Sequence, residues 1–253
     1  MQEIIRLAQR VKEVAQNNPE KIVERSLDKI YTSVLTPIKK ITLGRQRFRA
    51  SGKEYFYATH YYNATWRNER AVEVPLLNEF LEINRLRRIL ELGNVSAYYS
   101  KNNRPPLVVD KYERSKTVQN LDVLDIPHTF NIEGIVSIST LEHIGWDEAI
   151  KDPLKPLKCL MHLYELVSDK SNVLFTFPTG YNPSLDKMLA DNVLPFITFE
   201  FMERKDADNH WVVCDKATAL RKMFGNPYYA ANGLVIARGL RKFDESDLKS
   251  LKY

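Results

Sequence analysis

Glycine is scarce in this 253-residue chain, at nine residues, and cysteine scarcer still, at two. With so little glycine there is no G-x-G-x-x-G and no G-x-x-x-x-G-K-[ST], the backbone cradles that dinucleotides and nucleoside triphosphates require. Cys159 and Cys214 stand far apart, which excludes a disulfide scaffold and a zinc module, and no metal site is expected. Cys159 falls in an apolar helical stretch and reads as a buried, inert thiol. No run of about 18 apolar residues occurs, so no membrane span is expected. The opening Met1-Gln2-Glu3 leads into an amphipathic pattern rather than an apolar signal core, which points to a cytoplasmic, reducing location. Lys and Arg number 37 against 32 Asp and Glu, a net +5, well short of the clustered excess of a dedicated nucleic-acid binder.

What is there suffices for a full core: 44% of residues are hydrophobic and 27% charged. Residues 1–16 place Ile4, Leu7, Val11 and Val14 at helical spacing. Asn18-Pro19 opens a second amphipathic helix with Ile22, Leu27, Ile30, Tyr31, Val34 and Leu35 on one face, predicted to stop before Pro37. These helices read as a cap on the main domain or as a homo-oligomer or partner surface. Alternation in Arg45, Arg47 and Arg49, a Ser51-Gly52 turn, then Tyr55 and Tyr57 predict a β-hairpin with a basic face. Lys39, Lys40, Arg45, Arg47, Arg49 and Lys53 are either simply solvated or a grip for phosphate.

From residue 64 the pattern turns α/β. A helix carrying Val72, Leu76, Leu77, Phe80 and Leu81 is kinked or restarted by Pro75. Short apolar strands follow at 88–93, 107–110, 118–122, 134–139 and 172–178, with a helix over 147–168 between the last two. A helix at 184–191, a strand at 196–204, a turn at 206–209, a helix at 215–223 and a strand at 232–239 complete the domain. Buried strands alternating with helices predict a mostly parallel seven-stranded sheet covered on both faces. The chain divides into an N-terminal extension (1–63), an α/β domain (64–241) and a charged tail (242–253).

Ligands of open α/β sheets bind at the carboxyl ends of the strands. This sequence puts Glu91, Gly93 and Asn94 after its first such strand, Asp110 after the second, Asp122-Val123 after the third, and Ser139 to His143 after the fourth. A carboxylate accepts from both hydroxyls of a ribose, and a second one accepts from the exocyclic amine of adenine. Gly93 lets backbone approach closely. Together these describe an adenosine slot without phosphate cradles, for which S-adenosylmethionine is the economical ligand.

Residues 88–178 resemble the core of class I S-adenosylmethionine-dependent methyltransferases, a Rossmann-like fold. Ile89-Leu90-Glu91-Leu92-Gly93 resembles the first motif of that superfamily, Val108-Val109-Asp110 its ribose-binding acid, Leu121-Asp122-Val123-Leu124-Asp125-Ile126-Pro127 its adenine-flanking segment, and Leu141-Glu142-His143 the stretch after its fourth strand. The strand at 232–238 is similar to the antiparallel strand that closes the family's sheet. Segments 64–70 and 180–183 resemble an uncharacterised subgroup found among glycan-related genes. The family's loop usually holds two or three glycines, whereas this chain continues Asn94-Val95-Ser96-Ala97-Tyr98, where Val95 and Tyr98 add bulk.

The resemblance implies methyl transfer to a small-molecule or glycan acceptor, with Glu91, Gly93, Asn94, Asp110, Asp122, Val123 and Ser139 at the cofactor. His143 is the candidate general base, Glu142 orients it or touches the acceptor, and Trp146, Tyr181 and Arg67 line the acceptor side. For Glu91 the alternative role is a carboxylate that satisfies loop amides. The rival functions are a non-catalytic binding protein on the same scaffold and a nucleic-acid methyltransferase guided by the basic hairpin.

Overall fold

A computed structural model describes residues 31–100 and 103–243. The segment expected as a first helix, residues 1–16, and most of the charged tail lie outside the described residues.

Residues 31–41 are helical (α1), so the helix runs through Pro37 rather than stopping before it. Its inward side is also not the one expected: Thr32 and Thr36 are buried while Tyr31 and Val34 are exposed. Thr36 Oγ1 is held inward by two bonds, donating to Thr32 O and accepting from Trp66 Nε1. The hairpin forms as predicted, β1 (Arg47–Ala50) pairing antiparallel with β2 (Lys53–Phe56) about Ser51-Gly52.

Helix α2 (Arg70–Ile83) crosses Pro75 without a break. Proline has no N–H to give the carbonyl four residues back, and here that carbonyl, Ala71 O, accepts from Ala58 N at 2.9 Å instead. After α2 come β3 (Ile89–Leu92), a single turn α3 (Ser96–Tyr99), β4 (Leu107–Val109) and β5 (Gly134–Ile138). Helix α4 (Lys155–Leu166), β6 (Val173–Pro178), α5 (Pro183–Ala190), β7 (Phe196–Arg204), β8 (Trp211–Cys214), α6 (Lys216–Leu220) and β9 (Gly233–Leu240) follow.

The main sheet has seven strands in the order β4-β3-β5-β6-β9-β7-β8. The first four are mutually parallel, and β9 inserts antiparallel between β6 and β7. This is the Rossmann-like α/β architecture expected, with one change of membership. The strand predicted over 118–122 is reduced to a single bridge between Gln119 and Val109, because Asn120 and Asp122 spend their side chains on local backbone groups. Its place in the count is taken by β8 at the opposite edge, paired antiparallel with β7.

The helix predicted from 147 begins only at Lys155, since Pro153 and Pro156 each lack a donor for an upstream turn. β3, β5 and β6 are buried at every position, as strands covered on both faces must be. One face packs Leu157, Leu160, Leu163, Leu185 and Met188 from α4 and α5; the other packs Leu76, Leu77 and Phe80 from α2 with Phe48, Tyr57 and Trp211. Cys159 is fully buried, and burial pushes its thiol far above the usual range.

Candidate active site

The strand register sets the site. Leu92 pairs with Val109 on one side and Ser137 on the other, so β3, β4 and β5 end nearly level. Gly93, Asp110 and Ser139, the residues just beyond those ends, therefore converge, and a cleft of about 530 Å³ opens there. Six of the seven residues expected at a cofactor line it: Gly93, Asn94, Asp110, Asp122, Val123 and Ser139. Val95 and Tyr98, the bulky members of the loop, stand in its wall without filling it. The Tyr98 ring stacks on Tyr62 at 4.3 Å, and its hydroxyl donates to Glu113 at 2.9 Å.

Glu91, the seventh, lies beneath the loop, where Oε1 accepts from Ser96 N at 2.7 Å and Oε2 from Ser96 Oγ. Burial raises its pKa to about 7 against the lowering pull of those bonds. Glu91 thus shapes the loop rather than the cleft wall. Gly93 has φ +81°, and a Cβ there would meet Thr140 Oγ1 at 2.5 Å. Only glycine allows the backbone to turn so tightly against β5.

Asp110 uses one oxygen locally, Oδ1 accepting from Tyr112 N and Glu113 N at 2.8 and 2.7 Å. Among the described residues Oδ2 accepts no hydrogen bond. Asp122 is engaged through both oxygens. Oδ1 caps Leu124 N, and Oδ2 accepts from Lys111 and Lys155 at 2.9 and 2.5 Å. Both lysines also reach Glu148, closing a four-membered charge cluster. Burial alone would raise the Asp122 pKa; the two ammonium groups outweigh it and bring it to about 2.

The floor holds a second charge group, buried except for Arg70, which is partly exposed to the cleft. Arg70 donates to Glu73 Oε2 at 2.6 Å, and Glu73 Oε1 accepts from Ser139 Oγ and Thr176 Oγ1, each at 2.6 Å. Ser139 has φ +39°, a left-handed conformation that costs a non-glycine residue on the order of 1 kcal/mol, and the bond to Glu73 helps hold it. Glu142 is 2% exposed and its Oε2 has no hydrogen-bond partner. Burial, then the nearby Glu73 charge, holds its carboxyl well above the usual range.

His143 faces the cleft. Its Nδ1 lies 2.6 Å from Asp147 Oδ2, the same oxygen that accepts from Tyr181 Oη at 2.7 Å, and the imidazole and phenol rings meet edge to face at 4.8 Å. The turn that brings Asp147 back to His143 passes through Gly145 at φ +72°, where a Cβ would strike Asp152 O. Burial would raise the Asp147 pKa, but the bonds from His143 and Tyr181 lower it. Glu142 Oε1 stands 3.5 Å from Nε2.

The expected acceptor residues are dispersed. Tyr181 stands behind His143, Trp146 packs under the Lys151 ammonium at 3.5 Å, and the Arg67 guanidinium lies over Tyr229 at 4.9 Å. None of the three lines the cleft. Sequence reading missed Asp147, Lys111 and Tyr62. Asp147 had a signal, the i,i+4 spacing to His143, while Lys111 is the residue next to Asp110. On the basic hairpin region Lys39, Arg47 and Lys53 are each ion-paired, to Asp208, Glu54 and Glu79.

No protein-family model matches the chain, and no curated protein matches it. Among solved structures, a functionally unknown protein from Deinococcus radiodurans R1 is 17% identical, over 64% of this chain and 86% of that one, with a TM-score of 0.31. A structure described as the DhpI-SAM-HEP complex is 14% identical, over 85% of this chain and 97% of that one, with a TM-score of 0.33. Likenesses this slight decide nothing about activity. Among the described residues no helix is long and apolar enough to cross a membrane.

Proposed function

We propose that this protein is an S-adenosylmethionine-dependent methyltransferase acting on a small-molecule or glycan-type acceptor. One observation carries the reading: an open cleft of about 530 Å³ at the level carboxyl ends of β3, β4 and β5, with six of the seven expected cofactor positions in its wall. The residues present fit the cofactor. Gly93 lets the loop turn closely against Thr140 at the cleft wall, where any side chain would clash, and Asp110 keeps one oxygen for a ribose hydroxyl while the other holds its own loop. Asn94 and Val123 would flank the nucleoside, while Asp122, also in the wall, already has both oxygens engaged, one by Leu124 N and the other by two lysines.

When bound, the cofactor supplies an activated methyl group. The protein's part is alignment for an in-line displacement, together with removal of a proton from the acceptor. In this reading His143 takes that proton, the buried Glu142 stands near its Nε2, and Tyr181, Trp146 and Arg67 shape the acceptor side from the second row. The enzyme works in the cytoplasm, and α1, with Tyr31, Val34, Ile38 and Ile41 facing outward, supplies a contact to a second copy of the chain.

Calorimetric titration with S-adenosylhomocysteine tests the assignment. Micromolar binding that is abolished in Asp110→Ala is the expected result; no binding to the unaltered protein overturns it.

A further inference from the structure

His143, Asp147 and Tyr181 form a unit that the methyl-transfer reading does not by itself require, and it indicates which atom is methylated. A carboxylate is an acceptor only. Asp147 Oδ2 lies within hydrogen-bond distance of both Tyr181 Oη and His143 Nδ1, so the proton of a neutral imidazole sits on Nδ1. Nε2 is then the lone-pair nitrogen. Among the described residues it makes no hydrogen bond, with Glu142 Oε1 3.5 Å away, and the ring it belongs to borders the cleft.

We propose that Asp147 and Tyr181 are positioning residues that fix His143 as a base toward a neutral hydroxyl, making the acceptor atom an oxygen. The inference rests on the methyl-transfer reading and deepens it.

Three alternatives for the acceptor are disfavoured by what surrounds Nε2. A carboxylate or phosphate acceptor is already anionic and gains nothing from a base at Nε2. A protonated amine would want a carboxylate beside Nε2, whereas Asp147 lies on the Nδ1 side with Oδ2 taking two donors and Glu142 is buried, its nearer oxygen 3.5 Å from Nε2. Carbon acceptors need an electron-releasing group within the acceptor itself, and an oriented imidazole adds little to them. A hydroxyl, weakly nucleophilic until its proton leaves, gains most from a placed base.

The step balances. The hydroxyl oxygen forms the new O–C bond as its proton passes to Nε2. The S–C bond breaks with its electron pair kept on sulfur, so a sulfonium becomes a neutral thioether. The positive charge moves to the imidazolium, which Asp147 balances through Nδ1.

The test uses the full chain and has a readout apart from turnover. In spectra of ¹⁵N-histidine-labelled protein above neutral pH, His143 should show a protonated Nδ1 and a bare Nε2. Asp147→Asn, whose amide can donate to Nδ1, should shift that tautomer toward Nε2–H, and Asp147→Glu should restore it in part. Transfer from methyl-tritiated S-adenosylmethionine is then measured on paired methyl glycosides and their aminodeoxy counterparts.

Label should enter the hydroxyl members. His143→Gln should lower kcat about 100-fold and Asp147→Asn about tenfold or more, with KM little changed. A wild-type Nε2–H tautomer, label in the amines alone, or an Asp147→Asn enzyme with unaltered kcat each overturns the proposal. If S-adenosylhomocysteine fails to bind while the Nδ1–H tautomer is present, the methyl-transfer reading falls, and the hydroxyl assignment falls with it, while the orientation of His143 stands.

Discussion

Gly93 and Thr140 meet across the tips of β3 and β5 so closely that a methyl group on Gly93 would stand 2.5 Å from Thr140 Oγ1. Gly93→Ala adds that clash to the strain of a positive φ. The loop must move off Thr140, and the cleft wall moves with it. Affinity for S-adenosylhomocysteine should fall at least tenfold by calorimetry, with a loss of about 1–2 kcal/mol in denaturant unfolding. The double variant Gly93→Ala/Thr140→Ala relieves the clash but not the φ strain, so it should recover part of the affinity and less of the stability. Equal affinity in Gly93→Ala and wild type would show that this approach does not shape the ligand site.

The parts of the fold that were legible owe it to burial. β6, Val-Leu-Phe-Thr-Phe-Pro, is buried at every residue, and a continuous apolar run bounded by polar turns can be little else. The 118–122 segment misled because Val118, Leu121 and Val123 look like a strand. Asn120 and Asp122 between them find better partners in their own loop and in Lys111 and Lys155, a contact no local pattern announces. Asp147 was hidden by expecting a helix from 147. Once the helix starts at Lys155, residues 143–147 are free to form a turn that folds Asp147 onto His143. The charge cluster of Lys111, Asp122, Glu148 and Lys155 joins four separate stretches of chain and depends on the tertiary packing alone.

Glu91 makes the protein's stability depend on pH in a specified direction. Its folded pKa, about 7, lies above its ordinary 4.5, so the folded state favours the protonated form. The associated stability is fully present below pH 4.5 and is lost as pH rises through 7. The difference amounts to about 3 kcal/mol. Glu142 and Glu69 shift in the same direction, so the effect of one residue has to be isolated by substitution. Glu91→Gln keeps an acceptor for Ser96, and its melting temperature should decline less than that of wild type between pH 5 and 8. Parallel curves for the two proteins would refute this.

The basic hairpin region should not bind nucleic acid. Lys39, Arg47 and Lys53 are each neutralised by a carboxylate within 3 Å, leaving Lys40, Arg45 and Arg49, too few for the clustered excess that displaces counterions from a phosphate backbone. Fluorescence anisotropy with a labelled single-stranded RNA and a labelled DNA duplex should show no binding at about 0.15 M salt. Submicromolar affinity with a steep salt slope would reinstate the hairpin as a nucleic-acid grip.

Asp110 and Asp122 look equivalent in sequence, each an acid at the end of a strand-like run, and the structure separates them. Asp110→Asn retains a carbonyl oxygen for Tyr112 N and Glu113 N but replaces the oxygen that makes no bond with an amide. Stability should change little, while affinity for S-adenosylhomocysteine falls by a factor of about ten or more, the worth of a charge-assisted hydrogen bond. Asp122→Asn should do the reverse. Its carboxylate is bound to two lysines, one of them buried, and removing the charge leaves Lys155 facing Lys111 with only Glu148 between them. A loss of about 1–3 kcal/mol in unfolding, with affinity within threefold of wild type, is the expected pattern. If Asp122→Asn instead abolishes binding at unchanged stability, the lysine cluster releases its carboxylate to the ligand, and adenine recognition runs through Asp122 after all.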